Sequence, residues 1–332
     1  MKIVADENIA FARAFFEPLG ELALLPGRSI SPADVQDADV LLVRSVTAVT
    51  AQLLQNRSVQ FVGSCTIGTD HIDTAWLTEN NIAFASAPGC NANAVVEYVL
   101  SALLALRVDL RKSKLGIVGC GNVGGRLLRC LQKAGAAVCG YDPFLQGSDL
   151  PLVGFEEILH CDVICLHTPL TTSGPFPTFH LFDACTINKL QPGSVLLNAG
   201  RGAVVDNRVL LQRLSAHNDL RVVLDVWENE PAINADLLSK VAIGTPHIAG
   251  YSAEGKLRGT QMIFAALCNF LGIEPTSPII QLDGDITAYD VRIDDAALRT
   301  AFPQDGAAAF DRLRKHYAAR REGGFAEQGF IV

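Results

Sequence analysis

Leu115-Gly116-Ile117-Val118-Gly119-Cys120-Gly121-Asn122-Val123-Gly124 joins a short apolar run to glycines spaced G-x-G-x-x-G, and the segment that follows, Gly125 to Lys133, repeats its leucines at helical spacing. Strand, glycine turn and helix in that order are the context in which a dinucleotide fingerprint has physical meaning. Gly119 suits the tight turn, Gly121 lets the backbone approach a pyrophosphate, and Gly124 lets the helix pack closely on the strand. The helix start, with Asn122 and Val123, offers backbone amides and a positive dipole end to phosphate. Asp142 closes the next strand-like run, Ala136 to Tyr141. A carboxylate there can accept hydrogen bonds from both ribose hydroxyls and would repel the additional phosphate of NADP, so NAD is the expected cofactor.

Outward from this point the pattern continues. LGIVG, AAVCGYD, CDVICLHTP, SVLLNAG, LRVVLDV and VAIGTPH are six strand-like runs separated by segments of helix length, as in a doubly wound nucleotide-binding sheet. The first ninety residues alternate in the same manner, with strands expected at Lys2 to Ala5, Asp39 to Arg44, Gln60 to Gly63 and Ile82 to Ala85, which predicts a second parallel sheet covered by helices. Asn93 to about Arg111 carries apolar residues too densely for a one-sided surface helix and is expected to be buried between two domains. A further amphipathic stretch, Ala253 to Leu271, leads into a linker, Gly272 to Pro278, and a small C-terminal appendage.

The chain has 332 residues, 49% of them hydrophobic, enough for about two domains with large cores. Its 27 lysines and arginines against 35 aspartates and glutamates leave a net charge of −8, which opposes a nucleic-acid or anionic membrane-surface role. No apolar run approaches the length of a membrane helix, and Asp6 and Glu7 interrupt the N-terminus where a signal peptide needs apolar residues. A cytoplasmic protein is expected. Nine cysteines without a C-x-x-C pair read as reduced core thiols. His71, beside Asp70 and Asp73, has no further ligands at a metal-site spacing, and no metal is expected. Near the C-terminus, Arg312, Arg314, Lys315, Arg320 and Arg321 surround a face of Phe310, Leu313 and Tyr317 and read as the solvated rim of a subunit or domain contact.

Three strand ends beyond the fingerprint carry ionisable groups: Asn198-Ala199-Gly200-Arg201-Gly202, Asp225-Val226-Trp227-Glu228-Asn229-Glu230-Pro231 and Pro246-His247-Ile248-Ala249-Gly250-Tyr251. In a doubly wound sheet, strand ends open onto the ligand crevice. An arginine can hold a carboxylate bidentately, a histidine can exchange the proton of a secondary alcohol, and a neighbouring carboxylate can orient that histidine. In this order behind GCGNVG, the three segments resemble the D-isomer specific 2-hydroxyacid dehydrogenases over nearly the whole chain. The resemblance implies that Arg201, Glu230 and His247 are catalytic and that Thr168, Asp225 and Gly250 contact the cofactor. It implies an α/β architecture of two doubly wound parallel-sheet domains. A flavodoxin-like substrate domain would span 1–92 and 252–278, a Rossmann NAD domain 93–251, and a shortened C-terminal dimerisation segment 279–332. A homodimer is expected.

The N-terminal half supplies Arg44-Ser45 after one strand and Thr66 after the next, residue types suited to a phosphate or another polyoxygenated anion. VADENI at the start, TPLTTSGPFPTFHLFD after Thr168, the Tyr251 to Lys256 stretch, YDVRIDDAALR and FDRLRKHYAARRE narrow the resemblance to members acting on a phosphorylated 2-hydroxy acid. Ser45, Thr66 and Tyr251 would then contact substrate; apart from the resemblance, the charge of Arg44 suits it as a phosphate counter-charge. Members acting on 3-phosphoglycerate, hydroxypyruvate or glyoxylate remain alternatives, as does, in another class, an NAD-sensing, corepressor-like binding protein.

Overall fold

The computed structural model describes residues 1–318 and 320–323; residues 324–332 of the expected C-terminal segment lie outside the described residues. The chain divides into two compact units, Met1–Asn91 with Ser252–Gly284, and Ala92–Tyr251 with Asp285–Val332.

The first unit holds a five-stranded, all-parallel sheet: β1 (Lys2–Asp6), β2 (Glu21–Leu25), β3 (Val40–Val43), β4 (Phe61–Ser64) and β5 (Ala83–Ser86), in the order β2-β1-β3-β4-β5, which is the flavodoxin-like order. β2 went unread in the sequence, because Glu-Leu-Ala-Leu-Leu lacks β-branched residues and has helical propensity. Its position at the sheet edge, in register with β1 from Lys2 opposite Glu21 to Asp6 opposite Leu25, makes it a strand. The helix Ala253–Leu271 closes one face of this sheet through Ile263, Phe264, Leu267 and Cys268. It starts on the Ser252 side chain, which accepts from the Gly255 amide at 2.9 Å, and ends where Gly272 turns left-handed at φ 69°.

The second unit holds six parallel strands: β6 (Lys114–Val118), β7 (Ala137–Tyr141), β8 (Val163–Leu166), β9 (Val195–Asn198), β10 (Arg221–Leu224) and β11 (Ile243–Gly244). Their order is β11-β10-β9-β8-β6-β7, and all six correspond to runs read from the sequence. Beyond β7 an isolated parallel bridge between Gly140 and Leu152 takes the place of one more strand. The chain reverses between β6 and β8, and in such sheets ligands bind outside the strand ends at that point. β8 and β9 are buried on every residue, as expected of central strands covered on both faces.

The helix anticipated from Asn93 to about Arg111 spans Ala92–Ala105 and is buried along most of its length among Leu115, Ile117, Leu127 and Leu131 of its own unit. It stops early because Arg107 turns left-handed, at φ 54°. The C-terminal appendage does not stand apart. Its helices Val291–Asp305 and Ala307–Lys315 bury Leu298, Phe302 and Phe310 in the same core as Leu214, Leu237 and Trp227. All nine cysteines are free thiols, and only Cys185 is exposed. Among the described residues no helix is long and apolar enough to cross a membrane.

Candidate active site

At the glycine loop the three glycines have distinct surroundings. Gly119 sits at φ +85°, and a Cβ there would come within 2.9 Å of the Thr168 amide nitrogen. A Cβ on Gly124 would lie 1.9 Å from the Gly119 carbonyl oxygen, so the helix can approach β6 only with glycine at this position. At Gly121 a Cβ would meet nothing within 4 Å. That open face is where a pyrophosphate needs room, so the loop fits a dinucleotide. A cavity of about 560 Å³ adjoins it, lined by Gly121, Asn122, Arg126, Arg129 and Lys133 among others. Asp142 takes the Cys120 amide on one oxygen at 3.0 Å and the Phe144 amide on the other at 3.1 Å, which places its carboxylate beside the loop. Thr168, after β8, has a buried hydroxyl with no hydrogen-bond partner among the described residues. The preceding His167 is in the same condition at both ring nitrogens, and burial lowers its pKa to about 4.

The catalytic candidates stand on neighbouring strand ends. After β9, Asn198 braces the turn, accepting from the Gly200 amide at 3.1 Å and donating to the Arg201 carbonyl at 2.9 Å. Gly202 lies so close to the next loop that a Cβ would fall 2.0 Å from the Trp227 carbonyl carbon. Glycine is therefore what lets the Arg201 turn seat directly on the loop that carries Glu230. One Glu230 oxygen accepts from the Trp227 amide at 2.9 Å and the other meets His247 Nδ1 at 2.7 Å. His247 adopts φ 57° and donates its backbone amide to the Asp225 carbonyl at 2.8 Å. With Nδ1 engaged by a carboxylate, Nε2 is the nitrogen left for proton exchange. Burial works to raise the Glu230 pKa, but the His247 cation and hydrogen bond outweigh it, aided by Arg314 and the Trp227 amide, and the carboxyl is held below its ordinary value.

Asp225 is buried, with one oxygen accepting from Thr245 Oγ1 at 2.7 Å and the Ile248 amide at 2.8 Å, and the other from the Ala249 amide at 3.0 Å. These bonds hold the His247 to Tyr251 turn, a different engagement from the nicotinamide contact that the resemblance implies. Burial raises its pKa despite the opposing His247 charge and these hydrogen bonds. Gly250 and Tyr251 complete the turn, closed by the Tyr251 amide on the Ile248 carbonyl at 2.8 Å.

In the first unit, Arg44 and Ser45 follow β3 and Thr66 follows β4, its parallel neighbour. Thr66 shares a 3.0 Å hydroxyl contact with Ser64. Lys256, in the first turn of the Ala253–Leu271 helix, has its pKa lowered by burial and then by Arg44, a basic neighbour that sequence reading missed. His71 belongs to no cluster of three metal-type ligands; among the described residues one such group exists, His180, Asp206 and Glu228. There His180 Nε2 lies 2.7 Å from Glu228 and Nδ1 3.6 Å from Asp206, the arrangement of an imidazole between two carboxylates. The structure leaves Arg312 and Lys315 exposed around the buried face of Phe310, as expected of a solvated rim, and corrects that reading for Arg314 and Arg320. Arg314 is only 16% exposed and Arg320 donates to buried carbonyls; Arg314 follows Phe310 by four residues and so shares its buried helix face.

The family model for the D-isomer specific 2-hydroxyacid dehydrogenase, NAD binding domain, matches residues 98–249, and one for a domain of unknown function matches 286–324. An erythronate-4-phosphate dehydrogenase of Saccharophagus degradans is 53% identical, covering 97% of this chain and 93% of its own. One of Cellvibrio japonicus is 50% identical over the same shares. Among solved structures, the NAD+-bound 3-phosphoglycerate dehydrogenase of Entamoeba histolytica superposes with a TM-score of 0.72 at 25% identity, covering 82% of this chain and 95% of that one. The chain belongs to the erythronate-4-phosphate dehydrogenases of the D-isomer specific 2-hydroxyacid dehydrogenase family.

Proposed function

We propose that this protein oxidises 4-phospho-D-erythronate to 2-oxo-3-hydroxy-4-phosphobutanoate with NAD, a step in the biosynthesis of pyridoxal 5′-phosphate, and that it does so as a cytoplasmic homodimer. The observation that carries the reading is the His247–Glu230 pair at 2.7 Å, one strand end away from the Arg201 turn in a sheet whose glycine loop leaves room for a dinucleotide. Relatives that match 97% of the chain at 50% identity or more and bear that enzyme's name support the choice of substrate.

NAD, when bound at the glycine loop, would supply the hydride acceptor. His247, its Nδ1 on Glu230, takes the C2 hydroxyl proton at Nε2 as the C2 hydride departs, and in the reverse direction returns it. Ionised Glu230 favours the imidazolium that forms. Arg201 holds the substrate carboxylate bidentately and so fixes C2 for transfer. Gly119, Gly121, Asn122, Val123 and Gly124 would hold the pyrophosphate and Asp142 the ribose, with Thr168 and Gly250 assigned to the nicotinamide end; Asp225, placed there by the family resemblance, acts on this reading through the His247 to Tyr251 turn that its two oxygens hold. Ser45, Thr66, Arg44 and Tyr251 are assigned to the phosphorylated substrate. The test is NADH formation with 4-phospho-D-erythronate against 3-phospho-D-glycerate and D-glycerate, with a 2-oxo acid in a parallel reaction to reoxidise retained cofactor. Preference for phosphoerythronate is expected; preference for another acid overturns the substrate, and turnover of none overturns the enzymatic reading.

A further inference from the structure

A mostly buried charge beside the Glu230–His247 pair, which the mechanism leaves unused, comes from the C-terminal segment. Arg314 lies in the last turn of the Ala307–Lys315 helix, its side chain 16% exposed. Its Nη1 is 4.0 Å from the Glu230 oxygen that also meets His247 Nδ1, and its guanidinium hydrogen-bonds the Tyr251 side chain. Its Nε is buried without a hydrogen-bond partner among the described residues. A guanidinium in such surroundings is costly to desolvate, and a leucine would fill the same helix face without that cost. The segment that bears it is also tied to the catalytic turn. Arg320 donates to the carbonyls of Tyr251 at 2.8 Å, Ala249 at 2.8 Å and Ala94 at 2.6 Å, with Tyr289 stacked 4.3 Å from its guanidinium. Tyr317 packs edge-on against Tyr251 at 5.9 Å.

We infer that Arg314 is a positioning residue for the proposed reaction, a second and permanently charged partner that holds Glu230 ionised and Tyr251 in place while His247 passes between its two protonation states. When the imidazole is neutral, Glu230 would otherwise be a half-buried carboxylate with no cation beside it. Arginine remains protonated at every working pH, so it supplies that cation in both halves of the reaction. The ionisable groups facing Glu230 are His247 from the turn after β11 and Arg314 from the C-terminal helix, while Asp225 faces His247 from the end of β10. On this account the C-terminal segment is part of the active site and not only an appendage.

The inference rests on the proposed function, so its test includes a measurement that needs no turnover. Arg314→Gln and Arg314→Lys are made in the full chain and compared with wild type for kcat, for the KM of the hydroxy acid, for NAD affinity by titration, and for the Glu230 carboxyl midpoint by 13C NMR. Arg314→Gln is expected to lower kcat by about 10- to 100-fold, the usual scale for losing an outer partner of a reacting group. NAD affinity should stay within about threefold, and the Glu230 midpoint should move upward. Arg314→Lys should recover most of kcat and return the midpoint toward wild type. A Gln variant with wild-type kcat and an unmoved midpoint overturns the inference. So does a loss shared equally by both variants with NAD affinity weakened and the midpoint unmoved, which would mark a purely structural role. If wild type does not oxidise phosphoerythronate, the proposed substrate falls, while the Glu230 midpoint still decides the case of Arg314.

Discussion

Replacing Asp225 with asparagine keeps the shape of the side chain and removes its second acceptor. Three donors converge on this buried carboxylate: Thr245 Oγ1 and the Ile248 amide on one oxygen, the Ala249 amide on the other. Either orientation of an asparagine amide sets its NH2 group against one of the two backbone N–H groups. One charge-assisted bond is lost and a buried donor is left unpaired, while the remaining bonds weaken from ionic to neutral, a gross cost of roughly 3 to 4 kcal/mol. Relief of a buried charge whose pKa desolvation already raises offsets part of it, leaving about 2 to 3 kcal/mol. If that cost falls on the order of the His247 to Tyr251 turn, kcat/KM for the hydroxy acid drops by about 25- to 150-fold at 1.4 kcal/mol per tenfold. The assay is steady-state oxidation with NAD saturating, beside NAD titration and urea unfolding. If Asp225→Asn weakens NAD binding tenfold but leaves kcat intact, the carboxylate serves the nicotinamide and not the turn. If kcat/KM and the unfolding midpoint both stay at wild type, the hydrogen-bond reasoning fails.

His247→Ala should lower kcat by about 100-fold or more, in line with ordinary acid–base contributions, while NAD binding stays nearly intact; an unchanged kcat removes the histidine from the chemistry. Gly121→Ala, whose Cβ faces open space, should leave thermal stability nearly unchanged yet weaken NAD at least tenfold. Gly124→Ala, whose Cβ would lie 1.9 Å from the Gly119 carbonyl oxygen, should destabilise the fold by about 2 kcal/mol or more. Equal effects in calorimetry and NAD titration would contradict the division of labour between the two glycines. Because the Glu230 pKa is lowered from an ordinary 4.5, the unfolded chain binds its proton more readily. The pair therefore contributes stability that is present above 4.5 and lost as pH falls through the lower folded value. The difference in urea midpoint between wild type and Glu230→Gln should shrink over that acid range, and a constant difference would show that the carboxylate does not act through its charge.

The sequence by itself determined both parallel sheets, the glycine loop and the order of the three ionisable strand ends, because each of these is a local pattern. A central parallel strand must be apolar on both faces, as β8 and β9 are, and a phosphate turn must spare its Cβ atoms, as Gly119 and Gly124 do. β2 escaped because sheet pairing with β1 overrode a helical propensity. Only the tertiary structure decided which groups meet. That Glu230 binds His247 across seventeen residues and that Asp225 spends both oxygens on the turn beyond β11 follow from close backbone approaches, such as Gly202 against Trp227, which no spacing rule encodes. The C-terminal arginines show the same limit. In the sequence they are charges around an apolar face, and their number suggests solvent. In the fold, Arg314 reaches Glu230 and Arg320 collects carbonyls from Ala94 to Tyr251, because a long cationic side chain is placed by the acceptors it can reach in space, and those acceptors lie more than sixty residues away in the chain.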